Sequence, residues 1–281
     1  MPFPDIDPVL LHLGPFDLRW YALGYVAGIL LGWRWAVYLV RKTGLWRGAQ
    51  PTAKDTQIDD LVLYVTLGII MGGRFGYILF YKPALIWTDP LEILKTWNGG
   101  MSFHGGLIGV ILAVVAFGKM QKIDILRMGD VVAPCVPFGL CFVRIANFIN
   151  GELWGRPTTL PWGIIFPRAG FEPRHPSQLY EAALEGVVLF LILLWGTHGA
   201  KLLPRRGALT GMFLFFYGLS RIVLEFVREP DRDMPDFPLG LTMGMMLSVP
   251  MLLAGIALIL YSRRPAALAR PAPVDDAAKA A

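Results

Sequence analysis

Seven stretches of the chain, near residues 20–40, 59–81, 103–118, 129–149, 178–198, 208–227 and 239–261, are so apolar that few folds remain open. An α-helix needs roughly 20 residues to cross the ~30 Å hydrocarbon core of a bilayer, and most of these windows come close to that length. A helix satisfies its own backbone hydrogen bonds in lipid, and no alternating ten-residue pattern suggests the strands of a barrel. Composition agrees: 55% of the residues are hydrophobic and 17% charged, with a mean hydropathy of +0.52, far more apolar than a water-soluble domain requires. The expected fold is an all-α membrane protein with seven transmembrane helices. The first window reads as a retained span, because Asp5 and Asp7 precede it where a leader peptide carries basic residues.

Basic residues in the connecting loops set the orientation. Fourteen lysines and arginines follow the first, third, fifth and seventh windows, against seven in the alternate loops. The excess of positive charge marks the cytoplasmic side, so the N-terminus is expected outside and the C-terminus inside. The formal net charge of +5 then reads as a collar for anionic lipid, not as a nucleic-acid surface. Residues 150–177, rich in Pro, Gly and Trp, form a small extracytoplasmic cap in this reading. Residues 1–262 are the transmembrane domain, and 263–281 are an Ala- and Pro-rich cytoplasmic tail expected to be disordered. Cys135 and Cys141 are six residues apart on one helix, ~9 Å along its axis and beyond disulfide reach, so they are read as packing residues.

Five arginines stand in or beside the apolar windows: Arg19, Arg34, Arg74, Arg144 and Arg221. A buried guanidinium needs a partner, a cavity or a route to the headgroups. Arg19 lies at the edge of the first window and Arg34 within it, where snorkelling is the simpler account; Arg74 divides evenly between the two. Arg144 and Arg221 bring polar company. Asn147 follows Arg144 by three residues on the same face, with Asn150 and Glu152 at the helix end, and Tyr217, Arg221 and Glu225 form one stripe at i, i+4 and i+8. Ion pairing of Arg221 with Glu225 and of Arg144 with Glu152 is the structural reading. The functional one is an anion site, and the anion that a membrane supplies in quantity is lipid phosphate, which a guanidinium fork matches.

His104, in "SFHGGLIG", precedes the third window, where a helix N-terminus favours negative charge and an imidazole can take a proton near neutral pH. Gly105 and Gly109 also form a small-xxx-small pair suited to close helix packing. Ser177 or His175 is placed to cap the fifth helix, and Asp130 to favour the start of the fourth. The four histidines have no metal-ligand spacing, and no phosphate loop, nucleophile elbow or dinucleotide fingerprint occurs, so no metal or organic cofactor is expected.

The segments "RWYALGY" (19–25), "GGRFGYILFY" (72–81), "GGMSFHGGLIG" (99–109), "RIANFINGELWGR" (144–156), "RHPSQLYEA" (174–182) and "YGLSRIVLEFVREPD" (217–231) resemble, in order and over nearly the whole chain, the bacterial prolipoprotein diacylglyceryl transferases. The resemblance implies a seven-helix enzyme of the bacterial plasma membrane. Such enzymes move the diacylglyceryl group of phosphatidylglycerol onto the lipobox cysteine thiol of a preprolipoprotein and release glycerol phosphate. It also implies essential residues at Tyr21, His104, Arg144, Asn147, Glu152, Gly155, Tyr217, Arg221 and Glu225. The assignment that follows gives phosphate to Arg144 and Arg221, proton abstraction to His104, and positioning to the others. Ala146 stands where members of the family often carry glycine, a methyl that should be tolerated. The nucleophile belongs to the substrate, which accounts for the absence of one here. The rival reading is an anionic-lipid transporter or flippase, but its usual paired broken helices are not seen in the sequence.

Overall fold

A computed structural model describes residues 1–4, 6–14, 16–96, 99–229 and 242–268. After a short antiparallel hairpin, β1 (Val9–Leu13) and β2 (Phe16–Arg19), come seven long helical runs. They are α1 (Trp20–Arg41), α2 (Asp55–Tyr81), α3 (Phe103–Met120), α4 (Ile125–Ile149), α5 (Ser177–Gly199), α6 (Ala208–Glu225) and α7 (Met243–Ser262). Their bounds follow the seven apolar windows closely; the start of the last window, 239–241, lies outside the described residues. Six are long and apolar enough to cross a membrane, and the apolar run of α3, His104–Met120, is shorter. The hairpin and the ordering of Arg19 ahead of α1 were not apparent in the apolar pattern.

The surface is that of a protein in lipid. In α7 only 11% of the most apolar window is buried inside the protein, while Leu247, Val249, Leu253 and Leu260 face outward. Water would not tolerate such a face, and hydrocarbon is its natural surrounding. This is a multi-pass membrane protein.

Lipid tails are as apolar as the helices, so association rests on close backbone contact. Along the α2–α3 seam, Gly68, Gly72 and Gly76 face Gly105 and Gly109. A Cβ placed on Gly109 would overlap the carbonyl oxygen of Gly68, and one on Gly105 that of Gly72. Gly105 and Gly109, close after His104, are therefore packing residues. Gly28 meets the Cα of Gly139 in the same way, which seats α1 on α4. Cys135 and Cys141 are free thiols that pack against Gly32 and Gly186.

Two helices depart from regular geometry. In α4 a 3-10 turn, Ala133–Cys135, interrupts the α-helix where Pro134 and Pro137 lack amide donors. In α5 two π segments, Ala182–Val188 and Trp195–Gly199, bracket an α-helical Leu189–Leu194. The tail expected to be disordered from residue 263 starts with an ordered turn: Arg206 N donates to Ala267 O at 2.9 Å, and Ala267 is fully buried. Residues 269–281 lie outside the described residues.

Candidate functional site

The mostly buried side chains of Arg144 on α4 and Arg221 on α6 converge on two carboxylates of α5, both with no exposed surface. Arg221 Nη1 donates to Glu181 Oε1 at 2.8 Å and to Glu185 Oε1 at 3.3 Å, and its Nη2 to Glu225 Oε2 at 3.4 Å. Arg144 Nε lies 3.1 Å from Glu181 Oε2, and its Nη2 lies 3.8 Å from Glu185 Oε2. Arg228, just past α6, adds a third guanidinium 3.9 Å from both Glu181 Oε1 and Glu225 Oε1. Glu225 is buried beneath the start of α7, where a methyl on Gly244 would meet its Oε2 at 2.7 Å.

Next to this cluster, the end of α4 turns back on itself. Asn147 Nδ2 and Asn150 Nδ2 donate to Glu152 Oε1 at 2.8 and 3.2 Å, and Gln178 Nε2 donates to Glu152 O at 2.5 Å. Tyr21 on α1 stands within electrostatic reach of Glu152 and Arg144, its Oη 3.5 Å from Tyr25 Oη. Tyr217, one turn before Arg221, stacks on Phe213 with ring planes 10° apart.

Residues 150–176 fold over this end of the bundle as a compact loop. Phe166 is fully buried among Phe3, Phe148 and Trp154. Gly155 sits where the loop meets the residues that follow α6, pairing with Arg228 in an antiparallel bridge. Its N–H donates to His175 O at 2.9 Å, and a Cβ there would lie 2.5 Å from Val227 O and 2.7 Å from His175 Cβ. Burial pushes the His175 imidazole below its ordinary pKa.

The arrangement places rigid, charge-assisted donors in a largely dry interior, suited to holding an anion whose charge grows during a reaction. Comparison with known proteins identifies the scaffold. The sequence pattern of the family described as prolipoprotein diacylglyceryl transferase matches residues 8–261. The chain belongs to that family. Among curated relatives it is 58% identical to the phosphatidylglycerol–prolipoprotein diacylglyceryl transferase of Phenylobacterium zucineum, over 99% of this chain and all of that one. It is 58% identical to the protein of the same name from Caulobacter sp. strain K31 over 92% of this chain and 94% of the relative, and 53% identical to that of Sinorhizobium medicae over 96% of each.

Of the residues singled out in the sequence, Arg221 and Glu225 meet directly and Arg144 joins them through Glu181 and Glu185, with Asn147, Glu152, Tyr21 and Tyr217 around them. Gly155 acts through its missing side chain. His104 opens α3, in the α2–α3 pair, with an exposed side chain, and not on the three helices that carry the arginines.

Several local expectations are corrected. Arg144 pairs with Glu181 and Glu185, while Glu152 takes the amides of Asn147 and Asn150. Ser177 does not cap α5, whose N-cap is Pro176; its hydroxyl donates to Leu153 O at 3.0 Å. Asp130 serves a different helix from its own, accepting from Gly207 N at 2.5 Å and from Thr210 N and Oγ1 at 2.9 and 3.0 Å at the start of α6. Arg74 does not snorkel: it is buried and donates to the carbonyls of Glu92, Ile93, Gly99 and Gly100. Sequence reasoning passed over Glu185 and read Glu181 only as a residue in the first turn of the fifth helix. Their i, i+4 spacing on an apolar helix was the available signal, obscured because Glu181 also fits a first-turn acid.

Proposed function

We propose that this protein transfers the diacylglyceryl group of phosphatidylglycerol to the lipobox cysteine thiol of preprolipoproteins, forming a thioether and releasing glycerol phosphate. The observation that carries the reading is the convergence of Arg144 and Arg221 on the same two buried carboxylates, Glu181 and Glu185, within a chain 50–58% identical to relatives bearing that name. The enzyme works in the bacterial plasma membrane with α3 as a seventh span. Its N-terminus and the residues 150–177 cap face outward, its C-terminal tail faces the cytoplasm, and residues 1–262 are the catalytic domain.

The thiol sulfur attacks the glyceryl carbon, the C–S bond forms as the C–O bond to phosphate breaks, and the electron pair leaves on glycerol phosphate. Arg144 and Arg221 hold the phosphate and meet its growing charge. A free cysteine has pKa ~8.5, so a base must raise its thiolate fraction, and His104 takes that proton. Tyr21, Asn147, Glu152, Tyr217 and Glu225 position these groups, and Gly155 fixes the loop above them.

The test uses purified protein in detergent with phosphatidylglycerol and a lipobox peptide, following glycerol phosphate release and the mass of the peptide. A diacylglyceryl mass gain lost in Arg144→Ala and in a Cys→Ser peptide is the expected result. Lipid translocation without conversion, in protein shown to be folded, would replace the transferase reading with the transporter.

A further inference from the structure

Three guanidiniums (Arg144, Arg221, Arg228) and three carboxylates (Glu181, Glu185, Glu225) meet between α4, α5 and α6, and when all are ionised their charges cancel. A neutral cluster is a poor trap for an anion unless some of its negative charge gives way. Glu181 and Glu185 stand apart from Glu225 in how their oxygens are disposed. Each directs Oε1 toward Arg221, at 2.8 and 3.3 Å, and Oε2 toward Arg144, at 3.1 and 3.8 Å. One acid group bridging two guanidiniums through two oxygens is the geometry that a phosphodiester would adopt between the same arginines. Neither Oε2 atom accepts an aligned hydrogen bond, so the Arg144 side of the bridge is the looser one. Both glutamates are fully buried, and Glu185 sits in the π segment of α5, an irregularity frequent at functional sites.

We propose that Glu181 and Glu185 are the internal counter-anion of the phosphate site. They hold Arg144 and Arg221 in register before the lipid arrives, and cede part of those contacts to the headgroup phosphate as it binds. The inference rests on the assignment of phosphate to Arg144 and Arg221. The carboxylates do two opposed things: they neutralise and orient guanidiniums that would otherwise be stranded in an apolar bundle, and they repel an arriving anion. Replacing one by glutamine keeps the shape and an acceptor oxygen while removing the repulsion. A phosphate should then bind more tightly but be less well aligned. A purely structural pair would give lower stability with no gain in binding.

The experiment compares wild type, Glu181→Gln, Glu185→Gln and Glu185→Asp in detergent. Thermal protection by sn-glycerol 1-phosphate reads the anion site without turnover, and rates with dioctanoyl-phosphatidylglycerol and a lipobox peptide read catalysis. In each glutamine variant the glycerol phosphate needed for half-maximal protection should fall about tenfold, kcat should fall, and the aspartate variant should stay near wild type. Protection of the glutamine variants equal to or weaker than wild type overturns the proposal. So does a failure of both to fold while Glu185→Asp folds, which would assign the pair to the scaffold. Wild type that is protected by glycerol phosphate but converts no lipid would refute the transferase reading and leave the anion site standing.

Discussion

Arg221→Lys separates charge from shape at the centre of the cluster. Arg221 reaches three carboxylates through two nitrogens: Nη1 serves Glu181 and Glu185 on α5, and Nη2 serves Glu225 one turn along its own helix. Lysine keeps the positive charge, so the balance with the three glutamates survives, but its single nitrogen cannot span both helices. At least one charge-assisted hydrogen bond is lost, about 1.5–3 kcal/mol, which should lower the thermal midpoint modestly. Arg221→Ala instead leaves three buried glutamates facing two guanidiniums and should cost about 3–5 kcal/mol. Catalysis should suffer far more than stability in the lysine variant. Misplacing one preorganised donor at a developing anion lowers kcat by ~10²–10³. Thermal unfolding in detergent and glycerol phosphate release, measured on the same preparation, give both numbers. A lysine variant that is folded and within a few-fold of wild-type kcat would refute the reasoning, because positive charge alone would then suffice.

Asp130→Ala should lower stability by about 2–4 kcal/mol, since Gly207 N and Thr210 N lose their acceptor; the KM for phosphatidylglycerol should barely move, because Arg221 lies ~20 Å further along α6. Gly109→Ala should destabilise the α2–α3 seam by about 1–3 kcal/mol, whereas Gly106→Ala, whose Cβ would meet only Ile69 O at 3.7 Å, should be close to neutral; equal melting of the two would rule out the close-approach account. His104→Gln should reduce the rate by ~10²-fold or more near neutral pH, and nearly full activity across the pH range would remove His104 as the base. Glu152→Gln should keep the fold of the α4 terminus, because an amide oxygen can still accept from Asn147 and Asn150, while lowering kcat measurably; unchanged turnover would strip Glu152 of its positioning role.

Much of the scaffold was legible because bilayer thickness acts on sequence directly. A helix must supply its own hydrogen bonds and about twenty apolar residues, so windows such as 178–198 and 208–227 announced α5 and α6 to within a few residues. The stripe Tyr217–Arg221–Glu225 was equally readable, since i, i+4 neighbours share a face whatever surrounds them. Partners across helices were not. Arg144 had Glu152 as its nearest acid in sequence, yet pairs with Glu181 and Glu185, 37 and 41 positions away. Asp130 looked like an acid at the start of its own helix but satisfies α6.

The sequence alone thus determined what each segment must be: membrane-spanning helices with a few costly polar residues that demand partners, and a resemblance that names the chemistry they serve. Only the tertiary structure decided which polar residue answers which. That choice depends on how helices distant in sequence are rotated and how closely their glycines let them approach, and a one-dimensional pattern carries neither quantity.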